Sequence, residues 1–205
     1  MPENVVIHIV DDEEPVRKSL AFLLTMSGHA VRVHESATAF LDIAGGLRQA
    51  CLITDLRMPD LNGVELLRRL RDAGQMLPAI VISGHGDVPM AVEAMKAGAL
   101  DFIEKPFAED VLLDAVSRAV TELDRQPRDG ADAAGVRRRL EELSEREHQV
   151  MRRIVAGMPN KTIAFELDIS PRTVEVHRAN VMTKMRARNL PELVRMVLVA
   201  DAGPS

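Results

Sequence analysis

Reactive polar side chains follow four of the short apolar runs in the first half of this chain. In chain order, these side chains belong to Asp11 and Asp12, Asp55, Ser83, and Lys105. The carboxyl ends of parallel strands lie along one edge of a sheet, where ligand sites collect. We therefore expect one pocket that holds three carboxylates, one hydroxyl group and one ammonium group.

The three carboxylates would repel one another strongly, and a bound divalent cation would relieve that repulsion. Mg²⁺ prefers hard oxygen ligands of this kind. A carboxylate can also act as a nucleophile and become an aspartyl phosphate, and Asp55, alone at the end of its run, is the candidate acceptor. Lys105 and the cation would neutralise charge on the transferring phosphoryl group, and the Ser83 hydroxyl would hydrogen-bond it. Taken singly, Asp11-Asp12 before a helix is also typical of simple N-capping.

The sequence around these residues alternates apolar runs with segments of helical periodicity. Such periodicity follows Asp12, Gly63, Asp87 and about Ala108, and Pro15 suits a first helical turn. With a further strand indicated by Val31 and Val33, the pattern fits five βα units and predicts an α/β fold. We expect a doubly wound, flavodoxin-like sheet of five parallel strands with helices on both faces.

Together these residues resemble the receiver domain of two-component response regulators, over roughly residues 4–123. The motifs that carry the resemblance are Asp11-Asp12, Asp55-Leu56-Arg57-Met58-Pro59-Asp60-Leu61-Asn62-Gly63, Ser83 and Lys105-Pro106. The resemblance implies that Asp55 takes a phosphoryl group from a phosphohistidine of a sensor histidine kinase. It also implies that Asp12, Asp55 and the main-chain carbonyl of Arg57 bind Mg²⁺, with Asp11 acting through water.

The same resemblance implies a switch that responds to the phosphoryl group. Ser83 and Phe102 would form it, with the hydroxyl turning toward the phosphate and the ring following. Other members often carry Thr and Tyr at these two positions. Arg57 and His85 occupy positions that the family uses to tune dephosphorylation.

Charge is distributed unevenly along the 205 residues, whose formal net charge is −5. Residues 1–124 carry 11 Lys/Arg against 20 Asp/Glu, whereas residues 125–205 carry 15 against 11. An acidic half joined to a basic half indicates two domains, the second of which faces a polyanion. Pro, Gly and Asp accumulate around Gln126–Asp132 and predict a linker. We expect a phosphoacceptor domain over residues 1–123, a linker over 124–139 and a DNA-binding domain over 140–205.

The basic half has a purely helical pattern that predicts a helix-turn-helix. Ser170-Pro171 is typical of an N-cap followed by proline at the first helical position, and Val174, Val181 and Met185 would face the core. The helix that begins at Ser170-Pro171 would be the second helix of the motif. Its outer face would meet the major groove, and its far end would meet phosphates. The candidate DNA-binding residues are Asn160, Thr162, Arg172, Thr173, Glu175, Val176, Arg178, Ala179, Lys184, Arg186 and Arg188.

Two features of this half leave alternatives open. Asn160 is either an N-cap or a phosphate contact. The run Arg137-Arg138-Arg139 is either the solvated face of a linker helix or a contact to DNA phosphates. In the major groove, a carboxylate such as that of Glu175 would accept from cytosine.

The second half resembles the LuxR-type helix-turn-helix over about residues 140–200. The segments that carry this resemblance are Leu143–Glu147, Gly157–Ala164 and Ile169–Arg178. Other members often have Lys where Glu175 and Ala179 stand, so the resemblance implies that base readout differs here. A receiver joined to such a domain defines the NarL/FixJ group of regulators. The runs Val10–Leu20 and Gly84–Gly98 are especially similar to members that activate nitrogen-fixation genes.

The combined resemblance implies a transcriptional activator rather than a turnover enzyme. Phosphorylation would shift a pre-existing conformational equilibrium, and the helix after Asp87 with the strand at Asp101 would become a dimer interface. The expected partners are a sensor histidine kinase, promoter DNA, RNA polymerase and a second copy of the chain. Two rivals stay open: a Mg²⁺-dependent aspartate-nucleophile phosphatase, and a regulator whose basic half binds protein or RNA.

Composition narrows the remaining classes. No stretch approaches eighteen consecutive apolar residues, so we expect no membrane span and a cytoplasmic protein. Cys51 stands alone in a strand-like run and predicts a buried structural thiol. Trp and Tyr are absent, which disfavours base-stacking platforms, and the histidines lack zinc-ligand spacing.

Overall fold

The computed structural model describes residues 5–84, 88–124 and 131–201. Two compact units divide them: residues 5–84 and 97–124 form the sheet unit, and residues 88–96 and 131–201 form the helical unit. The expectations for His85, for Asp87 and for linker residues 126–130 fall outside the described residues. None of the helices described is long and apolar enough to span a membrane.

The sheet unit contains five parallel strands in the spatial order β2-β1-β3-β4-β5. The strands are β1 (Val6–Val10), β2 (Ala30–His34), β3 (Ala50–Asp55), β4 (Ala79–Ser83) and β5 (Asp101–Glu104). The three central strands are buried almost throughout, which explains why they read as continuous apolar runs rather than as alternating ones. The predicted doubly wound fold is confirmed.

Alternate residues of these strands face one shared core. Ile7, Ile9, Ile53, Ile80 and Ile82 pack with helix α1 (Glu14–Met26) and helix α5 (Glu109–Asp124) on one face of the sheet. Their neighbours along each strand point to the opposite face, because side chains alternate along a strand. The helices in the first part of the chain are α1 (Glu14–Met26), α2 (Ala37–Ala44), α3 (Gly63–Asp72), α4 (Val88–Ala97) and α5 (Glu109–Asp124).

Local capping residues define where these helices begin. Pro15 occupies the first turn of α1, as expected, and the Asn62 side chain caps α3 by accepting from the Glu65 N–H at 2.8 Å. Helix α2, capped by Ser36, was not located by periodicity. Six of its eight residues are apolar, including the exposed Ile43, so the sequence alone does not separate a buried face from an exposed one.

Within the helical unit, the helices from residue 131 onward pack around a second apolar core. These helices are α6 (Ala131–Glu141), α7 (Glu145–Val155), α8 (Asn160–Glu166), α9 (Pro171–Met185) and α10 (Leu190–Asp201). Val174, Val181 and Met185 are fully buried in that core, as their spacing predicted. Val136 of α6 is buried there too, so the helical unit includes residues that the sequence pattern predicted to be linker.

The two predicted caps of this unit have different outcomes. The Ser170 side chain accepts from the Thr173 N–H at 3.0 Å and caps α9, which confirms the first prediction. Asn160 is not an N-cap, because the helix already includes it and Pro159 holds the cap position. The capping alternative for Asn160 is therefore wrong.

Candidate phosphoacceptor site and recognition helix

Strand register brings Asp11 and Asp55 to the same level of the sheet. β1 and β3 are parallel neighbours whose last paired residues are Val10 and Thr54. The next residue in each chain segment is an aspartate, so the two carboxylates lie side by side at the carboxyl edge. Asp11 is only 2% exposed, and Asp55 is partly buried.

Lys105 reaches both carboxylates from another part of the same edge. It follows β5, which β4 separates from β3, so the Lys105 and Asp55 backbones lie about two strand spacings apart, roughly 10 Å. The lysine side chain, the hydrogen bond and the aspartate side chain together span that gap. Its Nζ atom lies 2.7 Å from Asp55 Oδ1 and 3.2 Å from Asp11 Oδ2. The main-chain N–H of Lys105 donates to the Ser83 carbonyl at 2.7 Å, which holds the base of this side chain beside β4.

Main-chain donors hold the other carboxylate oxygens. Asp55 Oδ2 accepts from the Arg57 N–H at 2.6 Å, and Asp11 Oδ1 accepts from the Glu13 N–H at 2.8 Å. Arg17, one turn into α1, donates to the Asp11 carbonyl at 2.6 Å. Because each carboxylate has one main-chain donor and shares the ammonium group, both are fixed before any substrate arrives.

Burial and charge set the protonation of this cluster. Burial raises the pKa of the Asp11 carboxyl, and the Glu13 N–H and the Lys105 ammonium offset this only in part. Burial lowers the pKa of Lys105, but the hydrogen bond and charge of Asp55, together with Asp11, outweigh it and leave the pKa raised. The ammonium group therefore stays charged at neutral pH, beside an oxygen of Asp55.

The expected metal ligands do not all converge. Within the described ranges, no three side chains of His, Cys, Asp or Glu are arranged to hold a metal ion. Asp12 is exposed, whereas Asp11 and Asp55 are both bonded to Lys105. The donor chemistry nevertheless fits Mg²⁺, because these three carboxylates and the Arg57 carbonyl are hard oxygen ligands near one edge.

A glycine keeps the turn after Asp55 close to the sheet. A Cβ atom placed on Gly63 would lie 2.5 Å from the Asp55 main-chain oxygen and 3.3 Å from Leu56 Cα. The Gly63 N–H also donates to the Leu56 carbonyl at 2.9 Å. The start of α3 is thus packed directly on the backbone that carries the phosphoacceptor candidate. Gly63 belongs to the motif that carries the receiver resemblance, but its position in the sequence did not predict this role.

Ser83 and Phe102 lie on the same face of the sheet. Val81 pairs with Phe102 and Ser83 pairs with Glu104. Ile82 and Ile103 both pack in the α1/α5 core, so alternation directs Ser83 and Phe102 to the opposite face. Ser83 is buried and Phe102 is half-buried.

The outer face of α9 presents most of the predicted base-reading residues. Arg172, Glu175 and Ala179 are exposed, and the apolar Val176 is 54% exposed among them. Arg178 and Thr173 are half-buried, and the Thr173 hydroxyl lies 2.8 Å from Ser170 Oγ. On the preceding helix, Thr162 is exposed and Asn160 is half-buried.

The far end of α9 differs from the simple phosphate-binding row that the sequence predicted. Lys184 Nζ lies 2.6 Å from Oε2 of the buried Glu147, so its charge is paired inside the unit. Arg188 Nε lies 3.2 Å from Glu192 Oε2. Arg186 is exposed and takes the left-handed conformation (φ +56°) that ends the helix. Sequence spacing gave no indication of the Glu147 partner, which comes from α7, whereas Glu192 of α10 stands only four residues after Arg188.

Both halves of the chain match known protein families. The response regulator receiver domain matches residues 7–117. The luxR family of bacterial regulatory proteins matches residues 141–197.

Relatives match almost the entire chain. Transcriptional regulatory protein FixJ of Rhizobium meliloti (strain 1021) is 64% identical over 202 residues, covering 98% of this chain and 99% of that protein. The FixJ protein of Azorhizobium caulinodans is 52% identical, covering 100% and 97% respectively. A crystal structure of full-length FixJ from B. japonicum is similar with a TM-score of 0.58 and 47% identity, covering 96% of this chain and 97% of that one.

The five-stranded sheet, its edge of paired carboxylates and the helix-turn-helix define a two-component response regulator with a receiver domain and a LuxR-type DNA-binding domain. Within that class, this chain belongs to the FixJ family of transcriptional regulators. It is thus a transcription factor rather than the phosphatase considered above, and its basic half is of a DNA-binding type.

Proposed function

We propose that Asp55 is the residue that accepts a phosphoryl group, and that this modification controls DNA binding by α9. The observation that carries the proposal is the position of Lys105, whose ammonium group lies 2.7 Å from Asp55 and 3.2 Å from Asp11. A positive charge held at that point can stabilise charge on a transferring phosphoryl group without further rearrangement.

In the proposed transfer, a carboxylate oxygen of Asp55 attacks phosphorus. A new O–P bond forms, the N–P bond of a phosphohistidine on a sensor histidine kinase breaks, and the bond electrons and a proton go to the imidazole. The Arg57 N–H, 2.6 Å from Asp55 Oδ2, orients the carboxylate during the attack. The product is an aspartyl phosphate that hydrolyses slowly, so one modification serves one signal.

Mg²⁺ is the proposed cofactor, held by Asp11, Asp12, Asp55 and the main-chain carbonyl of Arg57, with Asp11 acting through water. When bound, it supplies positive charge against the phosphoryl oxygens. Burial supports this role for Asp11, because its raised pKa reflects a carboxylate that gains from a nearby cation.

The proposed output begins with Ser83 and Phe102, which share one sheet face beside Lys105. The Ser83 hydroxyl would bond the new phosphate and the Phe102 ring would follow, favouring a dimer through the strand at Asp101 and the helix after Asp87. Two DNA-binding domains would then occupy adjacent promoter half-sites. We also propose that the chain activates nitrogen-fixation genes with RNA polymerase as a partner. The relatives' names as transcriptional regulatory proteins support a role in transcription.

The test uses the full chain with acetyl phosphate and Mg²⁺, and compares wild type with Asp55→Asn and with Asp72→Asn, an exposed carboxylate at the end of α3. We expect wild type and the Asp72 variant to gain the phosphoryl mass, elute as dimers and bind duplex DNA more tightly. Phosphodonor-stimulated dimerisation and DNA binding that persist in Asp55→Asn would overturn the proposal.

A further inference from the structure

Hydrogen bonds link the last turn of the recognition helix α9 to the end of α6, to the loop that follows α6 and to the first turn of α7. Arg139 Nη1 donates to the Met185 carbonyl at 3.1 Å. Lys184 Nζ donates to the Glu142 carbonyl at 3.2 Å and to Glu147 Oε2 at 2.6 Å. We call these five residues the α9 clasp.

The Arg139 side chain supplies a hydrogen-bond donor to the C-terminal end of α9. The last carbonyls of a helix lack intrahelical donors and carry partial negative charge. At the end of α9, the Arg186 N–H bonds to the Thr183 carbonyl and the Ala187 N–H bonds to the Met182 carbonyl. The Met185 carbonyl instead receives a charged donor from another helix, α6.

Arg139 is itself held in place on a packed helix. Its Nε atom donates to the Gly135 carbonyl at 3.2 Å, one turn earlier in α6. Val136, on the same turn, is 4% exposed and belongs to the core of the helical unit. A guanidinium fixed in this way loses little side-chain freedom when it bonds the end of α9.

Arg139 lies just outside the part of the chain that matches the luxR family, residues 141–197. The sequence left its run of three arginines as either a solvated face or a phosphate contact. The structure separates the three, because Arg137 and Arg138 are exposed whereas Arg139 is half-buried and bonded to α9.

We propose that Arg139 is a positioning residue for DNA recognition, which fixes the C-terminal end of α9 through the Met185 carbonyl and makes base readout depend on α6. The inference rests on the proposed function, namely that the outer face of α9 reads DNA. Ser170 caps the first turn of α9 and Arg139 secures the last. Without the Arg139 hydrogen bond, the C-terminal end of α9 would tilt, and its side chains would contact base edges less specifically.

A positioning role and a direct phosphate contact predict different dependences of DNA affinity on salt concentration. Each phosphate neutralised by a basic side chain adds about 0.9 to the slope of log affinity against log salt concentration. A residue that only positions α9 leaves that slope unchanged. Its loss weakens the preferred sequence more than random sequence, because base contacts specify whereas phosphate contacts only position.

The test measures binding of the full phosphorylated chain to two duplexes over a range of salt concentrations. One duplex is enriched by the wild-type chain from a randomised pool, and the other is random in sequence. The variants are Arg139→Ala, Arg139→Lys, which keeps a charged donor, and Arg137→Ala, which removes the same charge from an exposed position of α6.

We expect Arg139→Ala to lower the ratio of specific to random affinity roughly tenfold, as loss of a charged hydrogen bond allows, with an unchanged salt slope. Arg139→Lys should recover most of the ratio, and Arg137→Ala should leave the ratio at the wild-type value. If Arg139→Ala fails to fold, Arg139→Gln, which keeps most of the side-chain length and removes its charge, takes its place with the same expected loss of ratio at an unchanged salt slope.

Three results would overturn the inference: an equal loss on both duplexes with a slope lower by about 0.9, an unchanged ratio in Arg139→Ala, or an equal loss of ratio in Arg137→Ala. A wild-type chain that binds neither duplex would overturn the proposed function instead. The two failures are therefore distinguishable.

Discussion

Lys105 Nζ and Asp55 Oδ1 lie 2.7 Å apart, although their strands are separated by β4 and their positions in the chain by 50 residues. The same ammonium group lies 3.2 Å from Asp11 Oδ2. The positive charge of this one lysine therefore offsets the repulsion between two carboxylates that the fold places side by side. This arrangement serves both folding and the proposed phosphoryl transfer.

Replacing Lys105 by Met keeps the length of the side chain and removes its charge. We expect the free energy of unfolding at pH 7 to fall by about 1–3 kcal/mol, because two partly buried carboxylates lose their partner. Labelling by acetyl phosphate should slow by about tenfold or more, since charge on the phosphoryl group is no longer neutralised. Urea denaturation and the time course of the phosphoryl mass check the two effects.

Lys18→Met is the matched control, because Lys18 pairs with Glu14 on the exposed side of α1. Exposed pairs of this kind contribute little to stability, so both measurements should stay near wild type.

The contribution of Lys105 to the free energy of unfolding also depends on pH. Its pKa is raised above 10.5 in the folded chain, so its stabilisation holds at neutral pH and is lost as pH rises through the folded pKa.

Gly63→Ala should damage the phosphoacceptor turn. The new methyl group would meet the Asp55 main-chain oxygen at 2.5 Å, so the backbone of β3 or α3 must move. We expect a loss of about 2–4 kcal/mol in the free energy of unfolding and slower phosphoryl labelling. Gly45→Ala is the control, because that position has ordinary helical angles and open space around it. An undiminished stability in Gly63→Ala would contradict the packing described above.

Glu147→Gln should remove an acid-sensitive part of the stability of the helical unit. The Lys184 ammonium, followed by the Ser144 N–H, lowers the pKa of Glu147 from 4.5 to about 2. Because the folded pKa is depressed, the stabilisation is complete above pH 4.5 and is lost as pH falls toward 2. We expect the variant to be about 2 kcal/mol less stable at pH 7 and to show a shallower acid decline.

Circular dichroism melts between pH 7 and pH 3 measure this difference. Glu145→Gln is the comparison, because Glu145 stands in the same first turn of α7 but is exposed. A wild-type pH profile for Glu147→Gln, or an identical change in Glu145→Gln, would show that the Lys184 pair does not stabilise the unit.

Arg186→Gly separates stability from DNA contact at the end of α9. Arg186 has φ +56°, a left-handed conformation that glycine adopts without steric cost. We expect a gain of about 0.5–1 kcal/mol in the free energy of unfolding. If Arg186 meets a phosphate, as its sequence position predicts, the salt slope of DNA binding should drop by about 0.9.

Arg186→Asn provides the comparison, since Asn tolerates the left-handed region and removes the same charge. Its salt slope should match that of Arg186→Gly. A slope that stays at the wild-type value in both variants would exclude a phosphate contact by Arg186.

Short-range patterns determined much of this protein in advance. The apolar runs of β1, β3 and β4 specify buried strands, and the residues that follow them must share one edge because parallel strands align their ends. Asp11, Asp55, Ser83 and Lys105 could therefore be grouped before any contact was known. Ser170-Pro171 likewise fixed the start of α9, because capping is a local interaction.

Only the tertiary structure determined which basic side chains are already bonded to other parts of the protein. Lys184 and Arg139 are as basic as Arg137 or Arg186 in sequence, yet Lys184 is bonded to Glu147 and Arg139 to the Met185 carbonyl. In the same way, strand register paired Asp11 with Asp55 at Lys105 and left Asp12 exposed. A local pattern specifies an element and its polar face, but the partner of a long charged side chain depends on which distant elements pack beside it.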